Sequence, residues 1–382
     1  MPYDRAVQPP SRRRSWLIAV PAALLLAIAL AWCGVWFYAA SRAQTAMTGW
    51  LDREARAGRI YTCGSHTVGG FPFRIEVRCD KAAAELRALQ PPLAITAPGI
   101  LVAAQVWQPT LLISEFTGPL HVGDVNAAPE LLVNWSLAQA SVRGNPRRPE
   151  RISIVMNDPV FDRTIGGTAA RVAAGKHAEL HARMADGAWD DRPVIDIALE
   201  LSSVSAPALG PFFAAATDAS ADINLRGLKD FSPKPWSVRF REIQQSNGAI
   251  DVRTIRMRQS EWLATGSGRL GLTANGRLDG ELRVTIAGLE RLLQQLGVDY
   301  LSRPGSGSER AGAALDALDR IAPGLGAIAR EKAAPSLAAG FAAMLGQPAE
   351  IEGRKAVSLP LRFVDGEAFL GPIRIGKTQS LF

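Results

Sequence analysis

Residues 262–286 read Trp262-Leu263-Ala264-Thr265-Gly266-Ser267-Gly268-Arg269-Leu270-Gly271-Leu272-Thr273-Ala274-Asn275-Gly276-Arg277-Leu278-Asp279-Gly280-Glu281-Leu282-Arg283-Val284-Thr285-Ile286. Leu270, Leu272 and Ala274 alternate with other residues before Asn275-Gly276, and Leu278, Leu282, Val284 and Ile286 alternate after it. A period of two is the pattern of a strand with one apolar face, and Asn-Gly is a strong hairpin turn. A two-residue turn would set Leu272 opposite Asp279 and Leu270 opposite Glu281, mixing the two faces. A three-residue loop with Gly276 left-handed instead pairs Leu272 with Leu278, and Arg269 with Glu281 on the polar side. The three-residue loop is the consistent choice. It makes Leu270, Leu272, Leu278, Leu282, Val284 and Ile286 one apolar face, which either lines a lipid groove or forms a core.

The same period runs through most of residues 60–286. Segments 100–107, 131–137, 151–156, 176–184, 194–201, 236–243 and 249–257 alternate or are β-branched, with turn residues between them. After Gly288 the period changes. Leu289, Leu292, Leu293 and Leu296 make a helical face ended by Gly297, residues 303–307 form a linker, and Ala-rich residues 311–346 are split by Pro323 and Pro335 into short helices. Strands return at 356–364 and 368–375, joined by Asp365-Gly366. The expected fold is therefore α+β and predominantly antiparallel β, an elongated, curved amphipathic sheet with a helical insert at 288–346.

The N-terminus sets the expected location. Residues 16–40 are 25 consecutive positions without a charge, long enough to cross a bilayer with some tilt. Trp16 stands at one end, and Trp32, Trp36 and Tyr38 cluster toward the other, like aromatic belts at headgroups. Arg12, Arg13 and Arg14 precede the span and only Arg42 follows it closely, which puts residues 1–15 in the cytoplasm. Residues 41–58 extend the anchor as a helix, with Ala43, Met47, Trp50 and Leu51 along one stripe and Gly58 as its stop. Residues 59–382 then form one periplasmic domain anchored to a bacterial inner membrane. Cleavage after Ala29-Leu30-Ala31 is disfavoured by the length of the apolar run. Trp32 before Cys33 disfavours a lipoprotein, and Arg13-Arg14-Ser15-Trp16-Leu17 only loosely echoes a twin-arginine signal.

Three cysteines are too few for a disulfide scaffold. Cys63 and Cys79 flank a segment whose Gly69-Gly70 turn and alternating Phe71, Phe73, Ile75 and Val77 read as a hairpin. Cysteines opposite each other on paired strands meet at disulfide distance, and closing such a loop contributes about 3 kcal/mol. Two buried free thiols are the alternative, and a metal site lacks ligands, since His66 alone is near. A disulfide fits an oxidising compartment.

Chemistry is scarce. Residues 266–271 match Gly-x-Gly-x-x-Gly formally but lie in a strand, whereas a dinucleotide site needs that motif to open a helix. His177, Glu179 and His181 share one face of a strand and read as a solvated surface. With four His in all and dispersed carboxylates, no catalytic residues, no cofactor and no metal site are expected. The net charge of +7 places +3 in the first 14 residues, so the rest is dilute and no nucleic-acid surface is expected.

Tyr61-Thr62-Cys63-Gly64, Gly70-Phe71-Pro72-Phe73-Arg74-Ile75 and Cys79, with the closing stretch from Val364-Asp365-Gly366 to Leu370-Gly371-Pro372-Ile373, resemble a bacterial family known only as domain of unknown function 2125. That resemblance covers most of the chain and implies a single anchor but no activity. More distantly, an anchor followed by long runs of amphipathic strands is similar to AsmA-like envelope proteins. These imply a grooved sheet that accommodates phospholipid. The resulting expectation is a non-enzymatic, membrane-anchored protein of lipid handling or envelope biogenesis. The competing expectation is a structural or assembly factor whose core is closed, with the insert covering the apolar face.

Overall fold

The computed structural model describes residues 13–89, 91–145, 148–165, 168–189, 192–228, 234–289, 291–292, 346–371 and 373–382. Helix α1 (Arg13–Arg56) is 44 residues long. Its apolar part is long and apolar enough to cross a membrane, with a mean hydropathy of 2.1, a test that a signal sequence also passes. Gly58 at φ +76° ends it, and Arg53 and Arg56 occupy its last turn, where a cation meets the negative end of the helix dipole.

Among the described residues, twenty-one strands follow in a single antiparallel sheet. At the first edge, β1 (Arg59–Thr62) and β2 (Ser65–Gly69) both pair with β3 (Arg74–Leu86), which pairs with β4 (Leu93–Gln105). The main path continues through β5 (Gln108–Thr117), β8 (Leu137–Asn145), β9 (Arg148–Asn157), β12 (His177–Trp189), β13 (Arg192–Val204), β14 (Thr217–Leu225), β15 (Ile250–Gln259), β16 (Trp262–Leu272) and β17 (Leu278–Ala287). Beyond β17 stand β19 (Arg354–Val364), β20 (Glu367–Leu370) and β21 (Ile373–Lys377). A side branch runs from β4 through β6 (Leu120–Asp124), β7 (Leu131–Asn134), β10 (Val160–Ile165) and β11 (Thr168–Ala174). The two branches part where the strands break, at Gly118-Pro119, Trp135-Ser136 and Asp158-Pro159, with Lys81, Asp158 and Ser203 left-handed.

The hairpin of residues 262–286 has the expected register. Leu272 pairs with Leu278, and Arg269 with Glu281. Thr273 donates to the Arg277 carbonyl, Gly276 donates back to the Thr273 carbonyl, and Gly276 sits at φ +72°. Ala274-Asn275-Gly276 is thus the three-residue loop.

Two expectations need correction. Residues 236–243 are not a strand but lie in α2 (Trp236–Gln245). Trp236, Val238 and Phe240 alternate like a strand, whereas Trp236, Phe240 and Ile243 fall at the i, i+4, i+7 spacing of a helical face, and Ile243 is the one that is buried. A strand not anticipated, β18 (Gln347–Ile351), pairs with β19. Of the insert, residues 289, 291 and 292 are helical, while 293–345 lie outside the described residues.

In-register pairing gives the sheet one continuous apolar face. A row of directly opposed residues runs from Ile75 through Ala104, Leu112, Val142, Ile152 and Ala182. It continues through Ile197, Ile223, Val252, Gly268, Leu282, Leu361 and Leu370. Twelve steps of about 4.8 Å make it roughly 58 Å long. The other face carries ion pairs such as Arg183–Asp196 at 3.0 Å and Arg258–Asp218 at 2.6 Å.

Burial along this face is graded. Over β15–β19, Val252, Leu270 and Leu282 form one buried cluster, and Trp262, Ile286 and Leu359 another beneath Leu289 and Leu292. α2 covers the neighbouring part through Ile243, packed with Ile195 and Leu228. Over β9 and β12, Ile154 is 39% exposed and Leu180 37%. Truncating Ile286 to Ala should cost about 2–4 kcal/mol, whereas Ile154→Ala should cost about 1 kcal/mol or less. Urea unfolding of the full chain in detergent measures both.

Candidate functional site

The apolar face and its junction with α1 are the candidate site. Leu270, Leu282 and Ile286 are buried at 8%, 7% and 3% exposure, and Leu272, Leu278 and Val284 are half-buried. Leu272 packs toward Ile195, Leu228 and Ile243, while Val284 touches both clusters of the β15–β19 region. Five of these six thus lie in or against the buried clusters, with Leu292 packed beside Ile286, and Leu278 stands half-buried opposite Leu272. The more open part of the face lies over β9 and β12, where the pattern of the hairpin offers no hint of it.

At the first edge, α1 and the sheet are locked together by aromatic residues. The indole N–H of Trp32 donates to the Pro72 carbonyl and that of Trp36 to the Arg74 carbonyl, each at 2.9 Å. The Trp36 ring meets Phe71 edge-on at 5.4 Å and is 7% exposed. Further along the helix, Trp50 stacks on Tyr61 at 4.9 Å, and Glu54 pairs with Arg59 at 2.5 Å. Burial raises the Tyr61 phenol above its ordinary value. These contacts run from the β2–β3 tip down to β1, so α1 lies along the edge strands with its apolar end at the tip. The Trp32–Trp36 cluster and the Phe71–Phe73 segment are each visible in the sequence. Nothing in the spacing links positions about forty residues apart.

Cys63 and Cys79 are disulfide-bonded, with Cα atoms 5.4 Å apart. They are not cross-strand partners, since Cys79 opposes His66; Cys63 lies in the bend between β1 and β2 and ties that bend to β3. Gly64 completes the tie by donating to the Asp80 carbonyl.

The polar face offers structure and no assembled chemistry among the described residues. His177 shares a 2.7 Å hydrogen bond with Asn157, and His181 lies 2.6 Å from Glu179. Hydrogen bonds from His177 and then His181 hold the Glu179 carboxyl below its ordinary range. No group of three His, Cys, Asp or Glu able to hold a metal occurs among the described residues. Residues 266–271 lie within β16, so no helix N-terminus follows them.

Fold and site together define a class of protein, an open curved antiparallel sheet hung by its edge from an apolar helix suited to membrane anchoring. Within that class the chain belongs to the bacterial family described as "Uncharacterized protein conserved in bacteria (DUF2125)", whose profile matches residues 36–379. No curated protein matches the chain.

One thiol, Cys33, is free. Thiol titration of the denatured chain should find one reactive group without reductant and three with it. Reduction should lower stability by about 2–4 kcal/mol, read as a drop in the thermal midpoint.

Proposed function

We propose that the chain is a non-enzymatic, membrane-anchored protein of lipid handling in the bacterial envelope, with residues 1–15 cytoplasmic and the sheet periplasmic. Phospholipid acyl chains lie along the apolar row from β3 to the open positions of β9 and β12, in the manner of AsmA-like grooves. The observation that carries this reading is the position of the row. It begins at Ile75, one residue beyond the tip docked on Trp36, and its middle is left partly open at β9 and β12. An acyl chain laid on such a face exchanges water for apolar contact at about 25 cal/mol per Å². The spread of ion pairs on the opposite face keeps that side wet.

A second reading has its own support. The closed clusters under Leu289, Leu292 and α2 favour an assembly factor whose sheet needs no ligand. We assign that closed half a structural role and the open half the lipid.

A photoreactive benzoylphenylalanine at Leu180, in the full chain in native membranes, separates the two. Lipid adducts detected by mass spectrometry at 180, and absent from a matched probe at Ile286, are expected. Adducts with a protein partner alone, or none at either position, would overturn the lipid reading in favour of assembly.

A further inference from the structure

The tip that joins β2 to β3 is built for an environment without water. Trp32 and Trp36 belong to the uncharged run that ends at Ala40, so by the helical rise they lie about 12 and 6 Å inside its end. Whatever docks on them shares that depth when α1 spans the bilayer. What docks is Phe71, Pro72 and Phe73, with Trp107 of the β4–β5 turn beside Phe73 at 6.2 Å. In water this is an expensive surface. Phe71 is 53% exposed, Phe73 58% and Trp107 60%, the last on a turn with no charged residue from Gln105 to Gln108.

The backbone of the tip is the second observation, independent of the first. Hydrocarbon offers no hydrogen bonds, so each open carbonyl or N–H there costs several kcal/mol. Three successive tip carbonyls have internal donors. Pro72 accepts from the Trp32 indole, Phe73 from the Val106 amide and Arg74 from the Trp36 indole. Pro72 itself removes a donor, and the Arg74 amide closes on the Gly70 carbonyl. Each indole N–H, which would otherwise stand unpaired in the apolar run, is satisfied by the same bonds. Arg74 marks the upper limit of the apolar tip. Its guanidinium is paired with Glu76 at 2.6 Å and remains 64% exposed, on a stem able to reach headgroups.

We propose that residues 70–73 and 106–107 form a wedge inserted in the leaflet from which α1 emerges, at the boundary of acyl chains and headgroups. The partner is the lipid bilayer itself. Aromatic side chains favour that boundary, apolar body inward and polar end outward. The wedge gives the sheet a second attachment beside α1 and holds strands β2–β4 along the bilayer normal. It also sets Ile75, the start of the apolar row, at the lipid. The inference rests on α1 lying in the membrane and not on the lipid-handling reading, and the two fail separately.

The test uses the full chain with Cys33→Ser, which leaves only the disulfide-bonded pair, reconstituted in vesicles of phosphatidylethanolamine and phosphatidylglycerol. Single cysteines replace Trp107, Phe71 or Leu209 and carry an environment-sensitive nitrobenzoxadiazole dye. Leu209 is the matched control, an apolar side chain 70% exposed at the opposite end of the strands. Dye at 107 should emit blue-shifted light, lose most of its intensity to shallow doxyl-labelled lipids and resist aqueous iodide; dye at 209 should do the reverse. Iodide quenching at 107 equal to that at 209 overturns the proposal. Protection at 107 from both quenchers also overturns it and assigns the tip to a protein partner. Trp107 makes its ring contact with Phe73 at the edge of the cluster, so the dye at 107 decides the outcome should Phe71→Cys disturb the dock on Trp36.

Discussion

Because side chains on a strand alternate between faces, a sheet keeps one apolar side only while every strand pairs in register; a slip of one residue sends that strand's apolar set into water. In this chain the register holds from Ile75 on β3 to Leu370 on β20 without a polar residue entering the row. Local devices maintain it. The Thr273–Arg277 loop fixes β16 against β17, and charged pairs such as Arg269–Glu281 face away from the row and disfavour the slipped alternative. Everything else about the chain follows from having so long an apolar face to satisfy.

The face is satisfied differently at its two ends. At the C-terminal end the protein supplies its own cover, with Leu289 and Leu292 over Ile286 and Ile243 over Ile195. Toward the N-terminal end the cover thins, and Ile154 and Leu180 remain more than a third exposed. The edge itself is protected by α1, whose indoles take up tip carbonyls and whose Trp50 closes on Tyr61. An edge strand left open pairs with other chains, and helix cover is one of the standard protections. The Cys63–Cys79 bond holds the bend at this edge in place.

Much of this is legible in the sequence where the signal is local. The Asn275-Gly276 loop specifies the register of its hairpin because only one loop length keeps both faces pure. The cysteine spacing points to the disulfide, though not to its place at a bend rather than between opposed residues. Residues 236–243 mislead because Trp236, Val238 and Phe240 alternate, while the helical set Trp236, Phe240 and Ile243 shares two of those three residues. β18 is hard to see because Gln347-Pro348-Ala349-Glu350 carries little β-branched or aromatic signal. Two features are beyond local reading. Alternation looks alike around Leu180 of β12, which is open, and in β17, which is covered, since cover comes from distant elements. The dock of Trp32 and Trp36 on residues 72–74 joins a span and a hairpin that each have a sufficient explanation alone.

The proposed apolar face, begun in the bilayer and carrying lipid along its open half, has a signature that needs no dye and no substitution, only isotope-labelled isoleucine. Magnetisation transfer from lipid acyl protons to isoleucine methyls, by solid-state NMR on the full chain in vesicles, reads it out. Acyl contacts are expected at Ile75, Ile152 and Ile154, and none at Ile243 or Ile286, which are 1% and 3% exposed. Acyl contacts confined to α1 isoleucines such as Ile28, with Ile75 and Ile152 silent, would be incompatible with such a face.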